Sequence, residues 1–389
     1  MDFVYSEICL SHNPPFEVSS GRWQPHSESP ARLVSIHAAL IKEPNVFNLI
    51  PHRDFSLAPI LRVHSPEFVA YLQTAYEEWV SAGRTPIGVL PDSFPHPALV
   101  EHLPSQTWRA SINSSIEAKV STYAFDLGTM IVDGTWRAAI TSANVALTAA
   151  YRLLELEQSG GNEPVATYAL CRPPGHHACK AASGGFCYLN NAAIAAQFFN
   201  DHDLQSAKKL LEGEEQTITG GLEVKKKVLI VDVDYHHGNG TQSMFYDTDN
   251  VFYVSLHAYP DYPYFTGSAQ EVGVGKGEGY NINIPIDAAN TTHEEYLEKL
   301  KAVLESDAVV QYKADVVVVS LGFDTWCEDP VGGVIHFSDA NAYTQMGKVL
   351  ATAKGTSGRP TLFVQEGGYT VPKLGDFTVN VLKGFLGQN

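Results

Sequence analysis

The sequence predicts an α/β fold built on a mostly parallel sheet with helices on both faces. Short apolar runs rich in β-branched residues alternate with longer stretches of helical periodicity, which is the element order of α/β proteins. Several runs are apolar at consecutive positions rather than alternating, such as 228–231 and 316–319, as expected for strands that are covered on both faces.

The predicted elements follow one another along most of the chain. We predict strands over 166–170, 228–233, 251–256, 316–321 and 361–364. Helices are predicted over 66–81, 134–156, 190–199 and 293–304. Ser65-Pro66 supports the start of the first helix, because proline suits the first helical turn. Alanines and Trp136 at spacings of three and four support the second helix.

Polar or glycine-rich residues follow each predicted strand. These segments are 171–177, 232–241, 255–257, 322–324 and 365–369. The carboxyl ends of parallel strands lie at one edge of a sheet, where α/β proteins form their ligand sites. We therefore expect the five segments to build one functional site.

The most informative segment is 232–239, which directly follows an apolar strand. Alternate side chains of an extended chain point the same way, so Asp232, Asp234 and His236 are expected on one side. Such a buried set is costly unless a cation lies among its members, and Asp with His suits Zn²⁺ or another divalent transition metal. A buried Asp that accepts backbone hydrogen bonds is the structural alternative, but it accounts for only one carboxylate.

Asp324 follows the predicted strand over 316–321 and would complete a ligand set with Asp234 and His236. Three protein ligands leave one position open, which is typical of catalytic rather than structural zinc sites. The metal would lower the pKa of a bound water and polarise a carbonyl. A Gly-Phe-Asp turn is often structural, but its place at a strand end favours a ligand.

His176 and His177 are candidates for acid–base catalysis. They lie on a loop stiffened by prolines, opposite the expected metal site. One histidine could take a proton from water and return it to a leaving group. Asp232 is then expected to orient His176, and Asn239 to contact His177. A single loop histidine would more often be a hydrogen-bonded structural residue.

Tyr369 follows two glycines, which let the backbone come close to a ligand. Its phenol could donate a hydrogen bond to the oxyanion that develops opposite the metal. The structural alternative is an ordinary core tyrosine.

Composition limits the classes of partner. The net charge of −17 argues against nonspecific binding to nucleic acid and is compatible with a cationic small substrate. The sequence contains no run of about eighteen apolar residues, so we expect no membrane span. The N-terminal residues lack the basic region and apolar core of a signal peptide, so we expect none. Five cysteines without a CxxC pattern suit a reducing compartment. We expect a cytoplasmic protein and leave the nucleus open.

Two segments are expected to be insertions in a single domain that spans 1–389. Residues 84–126 contain many prolines and are too long for an ordinary connection. Residues 201–227 are rich in Lys and Glu and are expected to form a solvated excursion.

Several motifs together resemble the histone deacetylase/acetylpolyamine amidohydrolase family. They are His-Ser-Glu-Ser-Pro-Ala-Arg at 26–32, Arg-Pro-Pro-Gly-His-His-Ala at 172–178, Gly-Gly-Phe-Cys-Tyr-Leu-Asn-Asn at 184–191, Asp-Val-Asp-Tyr-His-His-Gly-Asn-Gly-Thr-Gln at 232–242 and Glu-Gly-Gly-Tyr at 366–369. The resemblance covers nearly the whole chain. It implies the arginase-deacetylase fold, with a central eight-stranded, mostly parallel sheet.

The resemblance also implies roles for individual residues. Asp234, His236 and Asp324 would bind Zn²⁺, with Fe²⁺ as the alternative in the cell. His176 and His177 would be the acid–base pair, and Tyr369 would contact the carbonyl. Arg32 would lie behind the site, near the region through which acetate leaves. Gly185 and Phe186 would line the tunnel for the acyl chain, and Tyr264 and Phe265 are further candidates for substrate contact. A structural K⁺ would take oxygens from Asp232, Asp234, His236, Ser255 and Leu256.

Asn239 and the form Glu-Gly-Gly-Tyr are similar to the acetylpolyamine amidohydrolase and class II branch. Residues 84–126 resemble an insertion that forms a homodimer and narrows the entrance in that branch. Its acidic residues Asp92, Glu101 and Glu117 could hold a substrate ammonium. The excursion at 201–227 and a short stretch after His257 depart from the family pattern and leave the substrate open.

These observations predict a zinc amidohydrolase that deacetylates an acetylpolyamine or another small acylated amine. The alternative within catalysis is a protein lysine deacetylase. A catalytically silent protein that binds acylated amines is the alternative from another class, but the complete set of site residues argues against it. An arginase-type bimetallic hydrolase is disfavoured by Asn239 at a position where another carboxylate could serve.

Overall fold

The computed structural model describes residues 1–160, 165–213, 224–334 and 336–388. The strands are β1 (Asp2–Tyr5), β2 (Glu17–Ser19), β3 (Arg22–Gln24), β4 (Asn48–Pro51), β5 (Ala166–Ala169), β6 (Val228–Asp232), β7 (Val251–Ala258), β8 (Asn281–Ile286), β9 (Val316–Leu321) and β10 (Thr361–Gln365). The α-helices are α1 (Ala31–Leu40), α2 (Ala58–Leu61), α3 (Pro66–Ser81), α4 (Pro97–Val100), α5 (Ser105–Ala110), α6 (Ile116–Tyr123), α7 (Thr135–Ser159), α8 (Asn191–Asp201), α9 (Leu204–Leu211), α10 (Asn239–Phe245), α11 (His293–Leu304), α12 (Asp307–Tyr312), α13 (Asn341–Thr352) and α14 (Val371–Phe385).

Eight strands form one central sheet in the order β4-β1-β5-β10-β9-β6-β7-β8. Every neighbouring pair in this sheet is parallel. The predicted eight-stranded sheet is therefore confirmed, and it is parallel throughout. Strands β2 and β3 form a separate antiparallel hairpin.

The five strands predicted from apolar runs are all present, with bounds that differ by at most two residues. The sequence did not reveal β1, β4 and β8. The first two have four residues each, and β4 and β8 lie at the two edges of the sheet. Both edge strands contain a proline, which an edge position tolerates because one side of the strand needs no hydrogen bonds.

The two faces of the sheet bury two hydrophobic clusters. In β6, Val228 and Ile230 belong to one cluster, whereas Leu229 and Val231 belong to the other. This alternation follows from the two-residue period of a strand. Helices α3, α7 and α8 cover the first face, and α1, α11, α13 and α14 cover the second. A sheet covered on both faces explains why β6 and β9 in its centre are apolar until they approach their carboxyl ends.

The predicted helices are also present. Helix α3 has the predicted bounds, and its cap is the Ser65 hydroxyl, which accepts a hydrogen bond from the Phe68 N–H. Helix α11 has the predicted bounds and a capping box formed by Thr292 and Glu295. Helices α7 and α8 each begin one residue later than predicted and end two or three residues later.

Both predicted insertions contain short helices. Residues 84–126 contain the short helices α4, α5 and α6, and α6 is tied to α3 by a salt bridge between Lys119 and Glu78. The excursion at 201–227 contains α9, but residues 214–223 lie outside the described part of the chain. No helix in the described ranges is both long enough and apolar enough to cross a bilayer.

Candidate active site

The carboxyl ends of β6 and β9 bring Asp234, His236 and Asp324 together. One ligand atom from each residue lies within 4.8 Å of the other two. Nδ1 of His236 is 3.3 Å from Oδ1 of Asp234 and 3.0 Å from Oδ2 of Asp324. Two carboxylate oxygens and an imidazole nitrogen are a donor set that suits Zn²⁺. The three predicted metal ligands are thus adjacent in the fold.

The charges of this group fit a cation. Both Asp side chains are completely buried. Burial, and then the negative charge of Asp234, raises the pKa of Asp324 to about 7. Burial alone would raise the pKa of Asp234, but His176 and His236 lower it below its ordinary value. A divalent cation among the three groups would relieve the repulsion between the carboxylates.

Backbone geometry fixes the position of Asp234. Strand β6 ends at Asp232, so the chain is no longer extended at Asp234 and His236, which were expected to lie on the same side of an extended strand as Asp232. Asp234 Oδ2 accepts a hydrogen bond from the Gly367 N–H at 2.8 Å. A Cβ at Gly367 would lie only 2.5 Å from Asp324 Oδ2, so glycine is required for this close approach.

The loop after β5 places the two histidines beside the metal group. Nδ1 of His176 is 3.1 Å from Oδ2 of Asp232, and Nδ1 of His177 is 2.7 Å from Oδ1 of Asn239. Both predicted partners are therefore in contact with their histidines. The ring centroids of His176 and His177 lie 4.1 Å apart.

The two histidines differ in electrostatic environment. Burial disfavours the charged form of His176, but Asp234 and Asp232 outweigh it and raise the pKa of His176 to about 10. Burial, followed by the charges of His176 and His236, lowers the pKa of His177 well below its ordinary value. The environment therefore favours the charged form of His176 and the neutral form of His177.

Tyr369 follows β10 and faces the same site. Its ring packs edge-on against Phe186, with the centroids 5.7 Å apart. The Arg32 guanidinium lies behind it, 4.8 Å from the ring centroid, and forms a salt bridge with Glu28. Burial raises the pKa of the Tyr369 phenol well above its ordinary value, so the group remains a hydrogen-bond donor.

A cavity of about 310 Å³ leads to this group, and His177, His236 and Tyr369 contribute to its lining. Gly185 and Phe186 form part of its wall, as predicted. A Cβ at Gly185, which has a φ of +57°, would clash with the His177 ring, and this explains the glycine. The wall is therefore packed directly against a candidate catalytic residue.

The aromatic residues after β7 are arranged differently from the prediction. Tyr264 lines the cavity, but Phe265 does not, because its side chain is 92% exposed. Tyr262, which was not predicted, takes the inner position, with its ring centroid 5.0 Å from that of His177. Its hydroxyl donates a hydrogen bond to Asp126. A turn at 259–264 redirects the chain, and the sequence pattern did not indicate that turn.

Carboxylates also line the cavity, but they are not the ones considered from the sequence. The lining carboxylates are Glu17, Asp126 and Asp261. Asp92, Glu101 and Glu117 do not line the cavity of this chain, and Glu117 instead forms a salt bridge with Arg84. The proposal that the acidic residues within the insertion hold a substrate ammonium is therefore not supported, except at its last residue, Asp126.

Comparison with known proteins decides the family. The sequence matches the family model named "Histone deacetylase domain" over residues 26–385. The chain belongs to the histone deacetylase family. Relatives of this family are deacetylases and amidohydrolases, and this chain is a hydrolytic enzyme of that class.

Curated relatives and a solved structure place the chain in one branch of the histone deacetylase family. It is 38% identical to acetylpolyamine amidohydrolase 2 of Pseudomonas aeruginosa, over 99% of this chain and 98% of that protein. It is 34% identical to the acetylpolyamine amidohydrolase of Mycoplana ramosa over the full length of both. The crystal structure of acetylpolyamine aminohydrolase from Burkholderia pseudomallei matches with a TM-score of 0.80 and 30% identity, covering 99% of this chain and 98% of that one. The fold is thus the predicted arginase-deacetylase fold.

The structure adds two buried carboxylates to this histone deacetylase site. Glu366 Oε2 accepts hydrogen bonds from the N–H groups of Gly175 and His176, at 2.7 and 3.1 Å. Asp329 binds the backbone of Tyr369. Glu366 belongs to the Glu-Gly-Gly-Tyr motif at 366–369, so the sequence could have indicated it. Nothing in the sequence indicated Asp329 beyond its place after Asp324.

The predicted K⁺ ligands lie close together in the sheet. Asp232 and Ser255 are paired across β6 and β7, and both are fully buried. The Ser255 hydroxyl is 2.9 Å from Nδ1 of His257. The K⁺ site, which also involves Asp234, His236 and Leu256, stays a prediction.

Proposed function

We propose that this enzyme is a zinc-dependent amidohydrolase that removes the acetyl group from a small acetylated amine, such as an acetylpolyamine. One observation carries the proposal. The buried group Asp234, His236 and Asp324 lies beside a neutral His177 and a protonated Tyr369 at one cavity. These residues supply the metal ligands, base and oxyanion donor that amide hydrolysis requires.

Zn²⁺ held by Asp234, His236 and Asp324 would activate a water molecule and polarise the amide carbonyl. His177 acts as the base. Its Nδ1–H donates to the oxygen of Asn239, which leaves Nε2 free to accept the proton of the attacking water. His177 then returns this proton to the amine nitrogen as the carbon–nitrogen bond breaks. The products are a carboxylate and an amine.

Tyr369 stabilises the negative charge that develops on the carbonyl oxygen, and His176 is the cationic partner of His177 in the acid–base pair. His176 stays protonated because Asp232 and Asp234 favour its cation. The Tyr369 phenol stays protonated because it is buried, and it donates a hydrogen bond to the oxyanion. Arg32, held by Glu28, supports the Tyr369 ring from behind.

The cavity favours a narrow cationic substrate. Aromatic rings of Phe186, Tyr262 and Tyr264 line it, and its volume of about 310 Å³ is at the small end for ligand pockets. Among its three carboxylates, Asp126 accepts four hydrogen bonds within the protein and Glu17 accepts three. Both are therefore largely saturated.

Asp261 has more capacity for a ligand than the other two carboxylates. It accepts one hydrogen bond from the Tyr235 hydroxyl and one from the Tyr262 N–H. A carboxylate has about four lone-pair sites, so roughly two remain. Asp261 is also only half-buried, so the substrate can reach it. We propose that Asp261 binds the distal ammonium group of the substrate.

The remaining predictions have partial support. Exposed Ile87, Leu99 and Leu103 on the insertion at 84–126 offer an apolar surface for the proposed homodimer. The buried pair Asp232 and Ser255 supports the structural K⁺. We also propose that residues 1–389 act as one deacetylase domain, and that the five unbridged cysteines operate in the reducing cytoplasm.

A substrate panel tests the function. Purified protein of known metal content is assayed with acetylputrescine, acetylspermidine and acetyl-lysine peptides. We expect the small amines to react with a kcat/KM at least about tenfold above that of the peptides, because only they match both ends of the cavity. Turnover of peptides alone would show a protein lysine deacetylase. No turnover by the zinc-loaded enzyme would contradict the catalytic assignment.

A further inference from the structure

Asp329 is a buried carboxylate that connects three parts of the site. It lies in the loop that follows Asp324, and it is 7% exposed. Oδ1 accepts hydrogen bonds from the N–H groups of Val331 and Gly332, at 3.0 and 3.2 Å. Oδ2 accepts hydrogen bonds from the N–H groups of Tyr369 and Thr370, at 2.6 and 3.0 Å. The Thr370 hydroxyl also donates to Oδ2, at 3.2 Å.

These contacts place Asp329 behind the reacting groups. Its neighbours Pro330 and Val331 line the cavity, but Asp329 does not. No salt bridge to Asp329 occurs within the described ranges, and both of its oxygens are surrounded by N–H and O–H donors that point at them. Hydrogen bonds to an ionised carboxylate are about twice as strong as neutral ones.

The position of Tyr369 needs such a restraint. Gly367 and Gly368 precede it, and Gly368 has a φ of +106°. Two consecutive glycines leave the backbone free to adopt many conformations. Asp329 accepts hydrogen bonds from the N–H groups of Tyr369 and Thr370, which directly follow the two glycines. Arg32 donates to the Gly368 carbonyl and lies under the Tyr369 ring.

We infer that Asp329 is a positioning residue that acts through Tyr369. It holds the backbone of Tyr369 so that the phenol meets the substrate oxygen, and through Val331 it couples this position to the cavity wall. The inference rests on the proposed role of Tyr369 in catalysis. Asp329 does not line the cavity, yet it sets the geometry of the oxyanion donor.

Asn is the informative replacement. An amide has the same shape as the carboxylate, but only its oxygen can accept hydrogen bonds. In D329N one set of N–H donors would face the amide NH₂ group, so either Tyr369 and Thr370 or Val331 and Gly332 would lose their acceptor. The Glu variant D329E keeps the charge and displaces it by one methylene group.

A double-mutant cycle tests the inference. D329N is measured in the wild-type and Y369F backgrounds with acetylputrescine. We expect kcat to fall by about tenfold or more in the wild-type background, with KM changed by less than about twofold. In Y369F the same replacement should change kcat by less than about twofold, because the group it positions is absent. Equal losses in both backgrounds, or no loss in either, would overturn the inference.

The matched control is D287N. Asp287 is an exposed carboxylate that accepts hydrogen bonds from the Ala289 N–H and the Asn290 side chain, and it does not line the cavity. D287N should leave both kinetic constants unchanged. Metal content and melting temperature are recorded for every variant. If D329N is unfolded, D329E takes its place in the cycle with the same expected outcome.

A second measurement is independent of catalysis. Amide hydrogen exchange of the peptide that covers 366–371 should be at least about tenfold faster in D329N than in D287N. If exchange accelerates but the wild-type enzyme hydrolyses no acetylated amine, the proposed function fails and the structural part of the inference stands. Unchanged exchange would contradict the inference whatever the activity.

Discussion

Nδ1 of His177 lies 2.7 Å from the amide oxygen of Asn239, whereas the neighbouring His176 faces the carboxylate of Asp232 at 3.1 Å. Two adjacent histidines thus have partners of different charge. Burial and the nearby His176 and His236 lower the pKa of His177, while Asp234 and Asp232 raise the pKa of His176 against the effect of burial. Within one loop, the surroundings therefore favour the neutral form of His177 and the cationic form of His176.

Replacement of Asn239 by Asp should therefore change the pH profile. A carboxylate beside His177 favours its protonated form and should raise its pKa. Because the base must be unprotonated, the acidic limb of kcat/KM should move to higher pH, and activity should be lost first at low pH. A pH series with acetylputrescine measures this shift. The control N45D, at an exposed position, should keep the wild-type profile.

Replacement of Tyr369 by Phe should remove the proposed oxyanion donor. We expect kcat to fall by roughly 10²- to 10³-fold, which is typical of the loss of one such donor. Metal content should stay unchanged, because the phenol is not among the metal-binding groups. Steady-state kinetics and elemental analysis test this, with Y246F as a control at a half-buried position. A wild-type rate in Y369F would rule out the mechanism.

Metal binding should stabilise the fold and depend on pH. Removal of the metal by a chelator should abolish activity and lower the melting temperature, since a ligand at about 100 times its Kd contributes about 2.7 kcal/mol. Below pH 7 the affinity should fall, because the pKa of Asp324 is raised to about 7 and its proton competes with the metal. Calorimetry with Zn²⁺ across pH measures this.

D324N should bind Zn²⁺ far more weakly at every pH, whereas D339N, at an exposed carboxylate, should behave like the wild type. A wild-type affinity in D324N would remove Asp324 from the ligand set. This measurement does not depend on the identity of the substrate.

Replacement of Asp261 by Asn should act on cationic substrates only. We expect KM for acetylputrescine to rise by about fivefold, with kcat nearly unchanged, since a partly exposed ion pair contributes about 1 kcal/mol. An acetylated amine of equal length without the distal ammonium should show no change. The matched control D133N alters a carboxylate in a separate surface groove. Equal effects on both substrates would contradict the assignment of Asp261.

Local sequence determined the chemistry of the site. Asp234, His236, Asp324, His176, His177 and Tyr369 were all found from their residue types and from their places after apolar runs. That inference works because parallel strands deliver their carboxyl ends to one edge, so the position along the chain predicts the position in space. The contacts of His176 with Asp232 and of His177 with Asn239 followed from the same rule.

Only the tertiary structure decided which residues surround that chemistry. Tyr262 rather than Phe265 contacts His177, Asp261 rather than Glu117 lies in the cavity, and Asp329 holds the backbone of Tyr369. These relationships join residues 40 to 85 positions apart through loops. Loop paths depend on turns and on the packing of distant elements, and short-range periodicity carries no information about either. The sequence therefore determined the reaction class, whereas the residues that form the cavity wall and hold Tyr369 are set by the packing of loops against one another.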